Sequence, residues 1–273
     1  MQAFLDQHLP LTTFIRDCHI ARLTATIPVL TSSSDPVLGR LPPALVSGLQ
    51  LAGQRRIKIA RGDAIVDAGY PRNAIYLISE GWAVSKLSIE TGNTQIIDIL
   101  GPGSIAEMTS LNDQSAEGYS TVALQTVSVY RIEIDTLLRL CAQDETLTAW
   151  LFETLAGHTR RAYRHLTTLG QLSARQRLAF AMLKIIDVAQ QTDPSSVGKT
   201  VHLPMTQEEI GNMLGLTNVS ISKLMSAFRR EELIDYARNR IIVQDVAALS
   251  QICGMRLESD YTDAEPTRLV ANL

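Results

Sequence analysis

The segment Thr206–Phe228, TQEEIGNMLGLTNVSISKLMSAF, predicts two short helices joined by a tight turn. Thr206 is followed three residues later by Glu209, the spacing of a capping box, in which a hydroxyl and a carboxylate each accept an unpaired backbone N–H. Hydrophobic residues recur at helical spacing on both sides of Gly215, a residue type that tolerates the positive φ of a sharp turn. Thr217 is placed to cap the second helix. The segment therefore predicts a helix-turn-helix.

The outward face of the second predicted helix carries short or basic side chains and no carboxylate. Such a face can lie in the major groove of DNA, where side chains reach the edges of the bases. An ordinary helical hairpin with a polar outer face is the alternative interpretation. On the first interpretation, the residues that contact bases are Asn218, Val219, Ser222 and Lys223.

The sequence after the second helix favours the DNA-binding interpretation. Leu233–Val243 reads as two short strands around a polar turn. A two-stranded wing there would hold Arg238 and Arg240 beside the second helix, near the phosphates. Helix, turn, helix and basic wing together predict a winged helix-turn-helix.

Composition limits the class of protein. The chain has 273 residues, a formal charge of −3 and a pI near 6.0, so any DNA contact must come from a local basic patch. Cys18, Cys141 and Cys253 lie far apart, which fits a reducing cytoplasm and disfavours a disulfide framework or a Cys-rich metal site. No apolar run approaches a membrane span and the N-terminus does not resemble a signal peptide. We expect a cytoplasmic protein without membrane contact.

The chain divides into five predicted regions. An extension (1–40) precedes a region of short alternating segments with glycine-containing turns between them, typical of an antiparallel barrel or jelly roll (41–143). A long helix (144–172), a DNA-binding domain (173–254) and a polar tail (255–273) follow.

The long helix carries a heptad-like series, which predicts the seam of a parallel two-stranded coiled coil and hence a homodimer. A helix lying on its own barrel would show the same spacing. Two histidines in the series could bind metal or sense pH, or could simply be partly solvated seam residues. The predicted seam residues are Leu151, Leu155, His158, Ala162, His165 and Leu169.

This order of regions resembles the CRP/FNR family of bacterial transcription regulators, from about Leu38 to Cys253. The resemblance is carried by segments around Gly69–Gly81, Gly101–Glu107, Ala174–Leu178 and Met205–Thr217. It implies an α+β fold: an N-terminal antiparallel β jelly roll like a cyclic-nucleotide-binding domain, a long dimerisation helix and a C-terminal winged helix-turn-helix. It also implies double-stranded DNA, a second copy of the chain and RNA polymerase as partners.

Departures from the family pattern argue against its known effectors. Members that bind cyclic nucleotides have a Gly-Glu pair followed by Arg-Ser, whereas here Glu107 follows Ala106 and no Arg or Lys occurs from Leu87 through Tyr130. A buried phosphate without a cation would be costly. Cys18 alone cannot hold an iron–sulfur cluster, and no His or Cys lies between Leu41 and Leu140 to bind haem or another metal. We expect none of these cofactors, and an altered effector pocket involving Glu107, Met108, Tyr119 and Ser120.

The recognition helix also departs from the best-known members, which place Arg-Glu or Val-Glu at its start. Here Asn218 could pair with adenine, Lys223 with guanine, and Val219 with a thymine methyl group. The resemblance implies phosphate contacts from six further residues, which fix register without reading sequence. They are Thr206, Gln207, Thr217, Ser220, Arg238 and Arg240.

Two other functions are compatible with parts of the sequence. The chain could be a small-molecule-binding signalling module whose DNA-binding domain has become a protein-interaction surface, or a thiol-redox sensor. An enzyme is not expected, since no nucleophile–base pair or metal constellation is present in the pattern.

Overall fold

The computed structural model describes residues 35–51, 55–68, 73–88, 92–106, 108, 119–192, 200–202, 204–237 and 240–255. All structural statements below concern these residues. The expectations for the extension before residue 35, for the tail after residue 255, and for Cys18, Glu107 and Arg238 lie outside them.

Eight strands form two four-stranded antiparallel sheets, ordered β1-β8-β3-β6 and β2-β7-β4-β5. Apolar side chains from both sheets fill the interior, as the alternating pattern predicts. This arrangement is the jelly roll expected from the sequence. The strands are β1 Ile57–Ile59, β2 Ala64–Val66, β3 Ala74–Glu80, β4 Ala83–Ser88, β5 Thr94–Leu100, β6 Ile105–Ala106, β7 Tyr119–Ala123 and β8 Val127–Glu133.

Helices flank the jelly roll and connect it to a C-terminal domain, called the head below. The first three are α1 Pro43–Leu51, α2 Ile134–Cys141 and the long helix α3 Glu145–Gln171. The head comprises α4 Ala174–Thr192, β9 Thr200–His202, α5 Gln207–Leu214, α6 Asn218–Arg230, β10 Ile234–Ala237, β11 Arg240–Val243 and α7 Val246–Cys253.

Helix α3 begins where the sequence indicates, because the Asp144 carboxylate accepts the backbone N–H of Leu147 at 2.8 Å. The face of α3 that was predicted to form a dimer seam is partly buried against the rest of its own chain. Leu151 and His165 of the predicted seam are 8% and 6% exposed and are buried within their own chain. Leu151 belongs to a cluster with α1, α2 and the outer face of the β3–β8 sheet. At Leu151 and His165 the helix packs on its own chain, as the alternative interpretation predicts, whereas Ala162 of the same series is exposed.

A second apolar stripe on α3 points to solvent. Each of its members follows a predicted seam residue by one position, a rotation of about 100° around the helix. Its three large residues, Phe152, Tyr163 and Leu166, are 67–68% exposed. The full stripe, at alternating spacings of four and three, is Phe152, Ala156, Thr159, Tyr163, Leu166 and Gly170.

The head packs against the outer face of the β2-β7-β4-β5 sheet. Trp82, Val84, Ile96 and Ile99 belong to the same buried cluster as the core of α4, α5 and α6. This docking could not be predicted from the sequence, because Val84 and Ile96 are apolar strand residues like those that face the interior of the jelly roll. The outer face of this sheet and the head therefore share one hydrophobic cluster.

Candidate nucleic-acid interface

The predicted capping box is present at the start of α5. Glu209 N–H donates to Thr206 Oγ1 at 3.1 Å, and Thr206 N–H donates to the Glu209 carboxylate at 2.6 Å. At the other end, Gly215 adopts φ 63°, and its N–H donates to the carbonyl of Gly211. A left-handed residue at this position lets the chain reverse within three residues.

Helix α6 begins at the predicted cap, where Thr217 Oγ1 accepts the backbone N–H of Ser220 at 3.2 Å. Its inward residues Ile221, Met225 and Phe228 are buried against the rest of the head. The turn, the cap and this apolar face fix which side of α6 is presented outward.

The outward face of α6 has the properties expected of a recognition helix. The four residues predicted to contact bases are all exposed, and Val219 is 65% exposed although it is apolar. No acidic residue occurs between Asn218 and Arg230. The face can therefore approach a DNA backbone without charge repulsion from within the helix.

The side chains of four of the six predicted phosphate-contacting residues are described, and they have different environments. Thr206 and Thr217 are exposed but use their hydroxyls as caps, while Gln207 and Ser220 are half-buried. Arg240 begins β11, paired with Ala237 of β10 and His202 of β9. The described strands of the wing thus form a three-stranded sheet, ordered β10-β11-β9.

Two arginines of α4 position the helix-turn-helix and were not singled out from the sequence. The Arg177 guanidinium donates to the carbonyls of Leu169, Leu172 and Leu214 at 2.7, 2.9 and 3.1 Å. It thereby joins the end of the long helix to the end of α5. Arg175 forms an ion pair with Glu231. The planar fork suits such multiple contacts. The Leu214 carbonyl and the Glu231 carboxylate lie far from these arginines in the sequence, so the contacts to them leave no local pattern.

The described members of the predicted effector pocket do not lie together. Met108 is buried in the cluster between the jelly roll and helices α1–α3, not between the sheets. Tyr119 and Ser120 are consecutive in β7, so they point to opposite faces of their sheet. Tyr119 and Ser120 therefore cannot both line one pocket on this sheet, and the predicted pocket stays a prediction.

Two histidines of α3 are held in a neutral state by their surroundings. Burial lowers the pKa of His165 to about 4, with Lys184 acting in the same direction against Asp98. Burial, with Arg161, likewise lowers the pKa of His158 to about 4. In the described part of the chain, no group of three or more His, Cys, Asp or Glu side chains could hold a metal ion.

The two described cysteines have properties opposite to those of a reactive thiol. Burial raises the pKa of Cys253 and of Cys141. A reactive cysteine requires a lowered pKa, because the thiolate is the nucleophile. These residues therefore give no support to the thiol-redox interpretation.

A jelly roll, a long helix and a winged helix-turn-helix, in this order, define a class of transcription regulators. Two family models match the chain: one described as a Crp-like helix-turn-helix domain, over residues 176–252, and one described as a cyclic nucleotide-binding domain, over residues 56–144. The chain belongs to the CRP/FNR family of transcription regulators and carries its helix-turn-helix DNA-binding domain.

Curated relatives are bacterial regulators. The transcriptional regulatory protein Btr of Bordetella pertussis is 28% identical over 214 residues, which cover 78% of this chain and 87% of that protein. The fumarate and nitrate reduction regulatory protein of Yersinia pestis is 26% identical over 201 residues, covering 74% and 79% respectively. Among the described helices, none is both long and apolar enough to span a membrane.

Solved structures show the same fold. FixK2 from Bradyrhizobium japonicum aligns with a TM-score of 0.66 at 20% identity, covering 75% of this chain and 99% of that one. The CRP-family regulator TTHB099 from Thermus thermophilus aligns with a TM-score of 0.61 at 24% identity, covering 74% and 98%.

Proposed function

We propose that this regulator binds a near-palindromic operator as a homodimer, with one α6 helix in the major groove of each half-site. The observation that carries this proposal is the exposed, carboxylate-free face of α6, held by the Thr217 cap and a buried apolar face. Asn218, Val219, Ser222 and Lys223 read bases. The predicted phosphate-contacting residues, including Arg238 and Arg240, fix the register.

The dimer forms through the exposed stripe of α3. A stripe at alternating spacings of four and three residues is the seam geometry of a two-stranded coiled coil. Aromatic and aliphatic side chains exposed along one helix face would be covered by the same face of a second copy. The seam proposed from the structure therefore runs through Phe152, Tyr163 and Leu166 instead of Leu151 and His165.

The effector of the jelly roll is not a cyclic nucleotide. The segment from Leu87 through Tyr130 contains no Arg or Lys. Lys86, which immediately precedes this cation-free segment, pairs with Ile96 and Ser120 on neighbouring strands. Ile96 belongs to the cluster shared with the head, so Lys86 lies on the outer face, away from the interior. Arg131, after the segment, is paired with Glu133 and Asn73. A bound ligand raises the unfolding temperature, so cyclic AMP or cyclic GMP should leave it unchanged; a rise would contradict this part of the proposal.

Regulation would follow when the operator-bound dimer contacts RNA polymerase, as the family resemblance implies. Reconstituted transcription from a bound promoter, with and without the protein, is the measurement for this partner.

The decisive experiment selects bound sequences from random duplex DNA with the purified, ligand-free protein at near-physiological salt. We expect an inverted repeat whose half-sites are separated by about one helical turn, ~34 Å. The selection is repeated with a small-molecule cell extract, because an effector could be required. No enrichment from a dimeric protein under either condition would overturn the proposal.

A further inference from the structure

Asp98 joins three parts of the molecule through one buried carboxylate. It lies on β5 of the jelly roll. Its Oδ1 accepts Lys184 Nζ of helix α4 at 2.6 Å, and its Oδ2 accepts Arg161 Nε of helix α3 at 3.1 Å. The side chains of Asp98 and Lys184 are 13% and 10% exposed. Jelly roll, long helix and head therefore meet at a single anion.

The carboxylate stays ionised. Burial by itself would raise the pKa of Asp98, but the charges and hydrogen bonds of Lys184 and Arg161 outweigh it and lower the pKa to about 2. A permanently charged group between two cations has a narrow range of acceptable geometries, since any displacement leaves a buried charge unpaired.

A neighbouring residue of the same strand forms a second link to the head. Gln95 Nε2 donates to the carbonyl of Met213 at 2.9 Å. Met213 lies in the last turn of α5, where backbone carbonyls have no partner within the helix. Only Gly215, Leu216 and Thr217 separate that turn from α6. The position of β5 is thus transmitted to the recognition helix over a few residues.

Apolar side chains also contribute to the contact between jelly roll and head. Hydrophobic contact is non-directional and permits small rotations of one surface on another. The ion cluster and the Gln95 hydrogen bond are directional and select one orientation.

We propose that Asp98 is a positioning residue: through Lys184 it fixes the orientation of the head on its own jelly roll and thereby sets the half-site spacing that the dimer reads. This inference rests on the proposed function. In a dimer joined along α3, the orientation of each head determines the distance between the two recognition helices.

Lys184→Met is the sharpest test, because it removes the link to the head while Asp98 keeps Arg161 as its partner and no charge is left unpaired. Asp98→Asn is the second variant. The control is Arg160→Gln, which removes an exposed ion pair with Glu153 on the same helix (53% and 76% exposed). Affinity is measured for a single half-site and for palindromes of increasing spacing.

We expect Lys184→Met to keep its half-site affinity within about twofold, since its recognition face is intact. The wild-type protein should bind palindromes of one spacing about tenfold more tightly than palindromes of neighbouring spacings. In the variant this difference in affinity should fall to about threefold or less. Arg160→Gln should retain the wild-type profile. An unchanged spacing profile in Lys184→Met would overturn the inference.

A measurement without DNA separates this inference from the proposed function. Hydrogen exchange of the β5 and α5 amides should be about tenfold faster in Lys184→Met than in the wild type, because local opening of the docked surface becomes easier. If the wild type shows no sequence preference, the proposed function fails, and the spacing role fails with it. Unchanged exchange would show independently that Lys184 does not hold the head.

Discussion

Gly211 and Leu216 lie backbone to backbone across the turn of the helix-turn-helix. Leu216 N–H donates to the Gly211 carbonyl at 3.0 Å. A Cβ added at Gly211 would lie 2.6 Å from the carbonyl oxygen of Leu216, closer than carbon and oxygen can approach. The absence of a side chain at Gly211 therefore permits the close approach of α5 to the backbone of the turn.

Gly211→Ala should destabilise the head, because the clash is with backbone and the turn must open. We expect a loss of about 1–3 kcal/mol in the free energy of unfolding and a weaker operator affinity. Gly39→Ala is the matched control, since a Cβ there meets nothing within 4 Å. Denaturant unfolding of both variants checks the prediction; equal stability of the two would contradict it.

Lys223→Ala should relax the choice of base at one position of each half-site. The lysine is exposed on the outward face of α6 and can donate to guanine, so its loss should reduce discrimination there by about 1–3 kcal/mol. Lys58→Ala, which removes an exposed lysine from strand β1, controls for net charge. Repeating the sequence selection with each variant measures its base preference at every position. A uniform loss of affinity, with the base preference unchanged at every position, would instead indicate that Lys223 contacts a phosphate.

Leu166→Glu should dissociate the dimer, because it places a charge in the proposed seam opposite the same charge of the second copy. Leu166 is 68% exposed in the single chain, so the variant should fold normally. Leu138→Glu is a suitable control, since Leu138 is also apolar and exposed (46%) but lies on α2. Sedimentation analysis gives the mass of each. A dimeric Leu166→Glu protein would exclude this face as the seam.

The stability of the protein should fall below pH 6.5 because of His158 and His165. Their pKa values are about 4 in the folded chain against 6.5 for an unperturbed histidine. From pH 6.5 down to 4 the unfolded chain binds protons that the folded chain does not, so each histidine lowers the free energy of unfolding by up to about 1.4 kcal/mol per pH unit. Above pH 6.5 both are neutral in both states and this effect disappears.

The double variant His158→Gln, His165→Gln removes both titrations and should flatten the dependence between pH 5 and 6.5. Denaturant unfolding at several pH values in this window compares it with the wild type. Lys184, Arg161 and Asp98 face these histidines, and Asp98 stays ionised in this window because its pKa is about 2. A slope equal to that of the wild type would show that other groups are responsible.

Local sequence signals predicted the local structures well. The capping box of Thr206 and Glu209, the turn at Gly215 and the cap at Asp144 depend on neighbours within a few residues, so they could be read directly. The jelly roll also followed from alternation and turn chemistry.

Contacts between distant segments could not be predicted in the same way. The spacing on α3 showed that one face is apolar, but not whether that face covers the jelly roll or a second copy. The helix carries two such faces one residue apart, and only the position of the jelly roll distinguishes Leu151 from Phe152. The partners of Asp98, 63 and 86 residues away, leave no periodic trace.

The core common to sheet and head restricts how this protein can diversify. Trp82, Val84 and Ile96 on the sheet match the side chains of one particular head. A chimera that receives the DNA-binding domain of another regulator would place foreign side chains on that surface and lose complementarity, even where each parent folds well. New operator specificity should therefore arise more readily by point substitution on α6 than by exchange of whole domains.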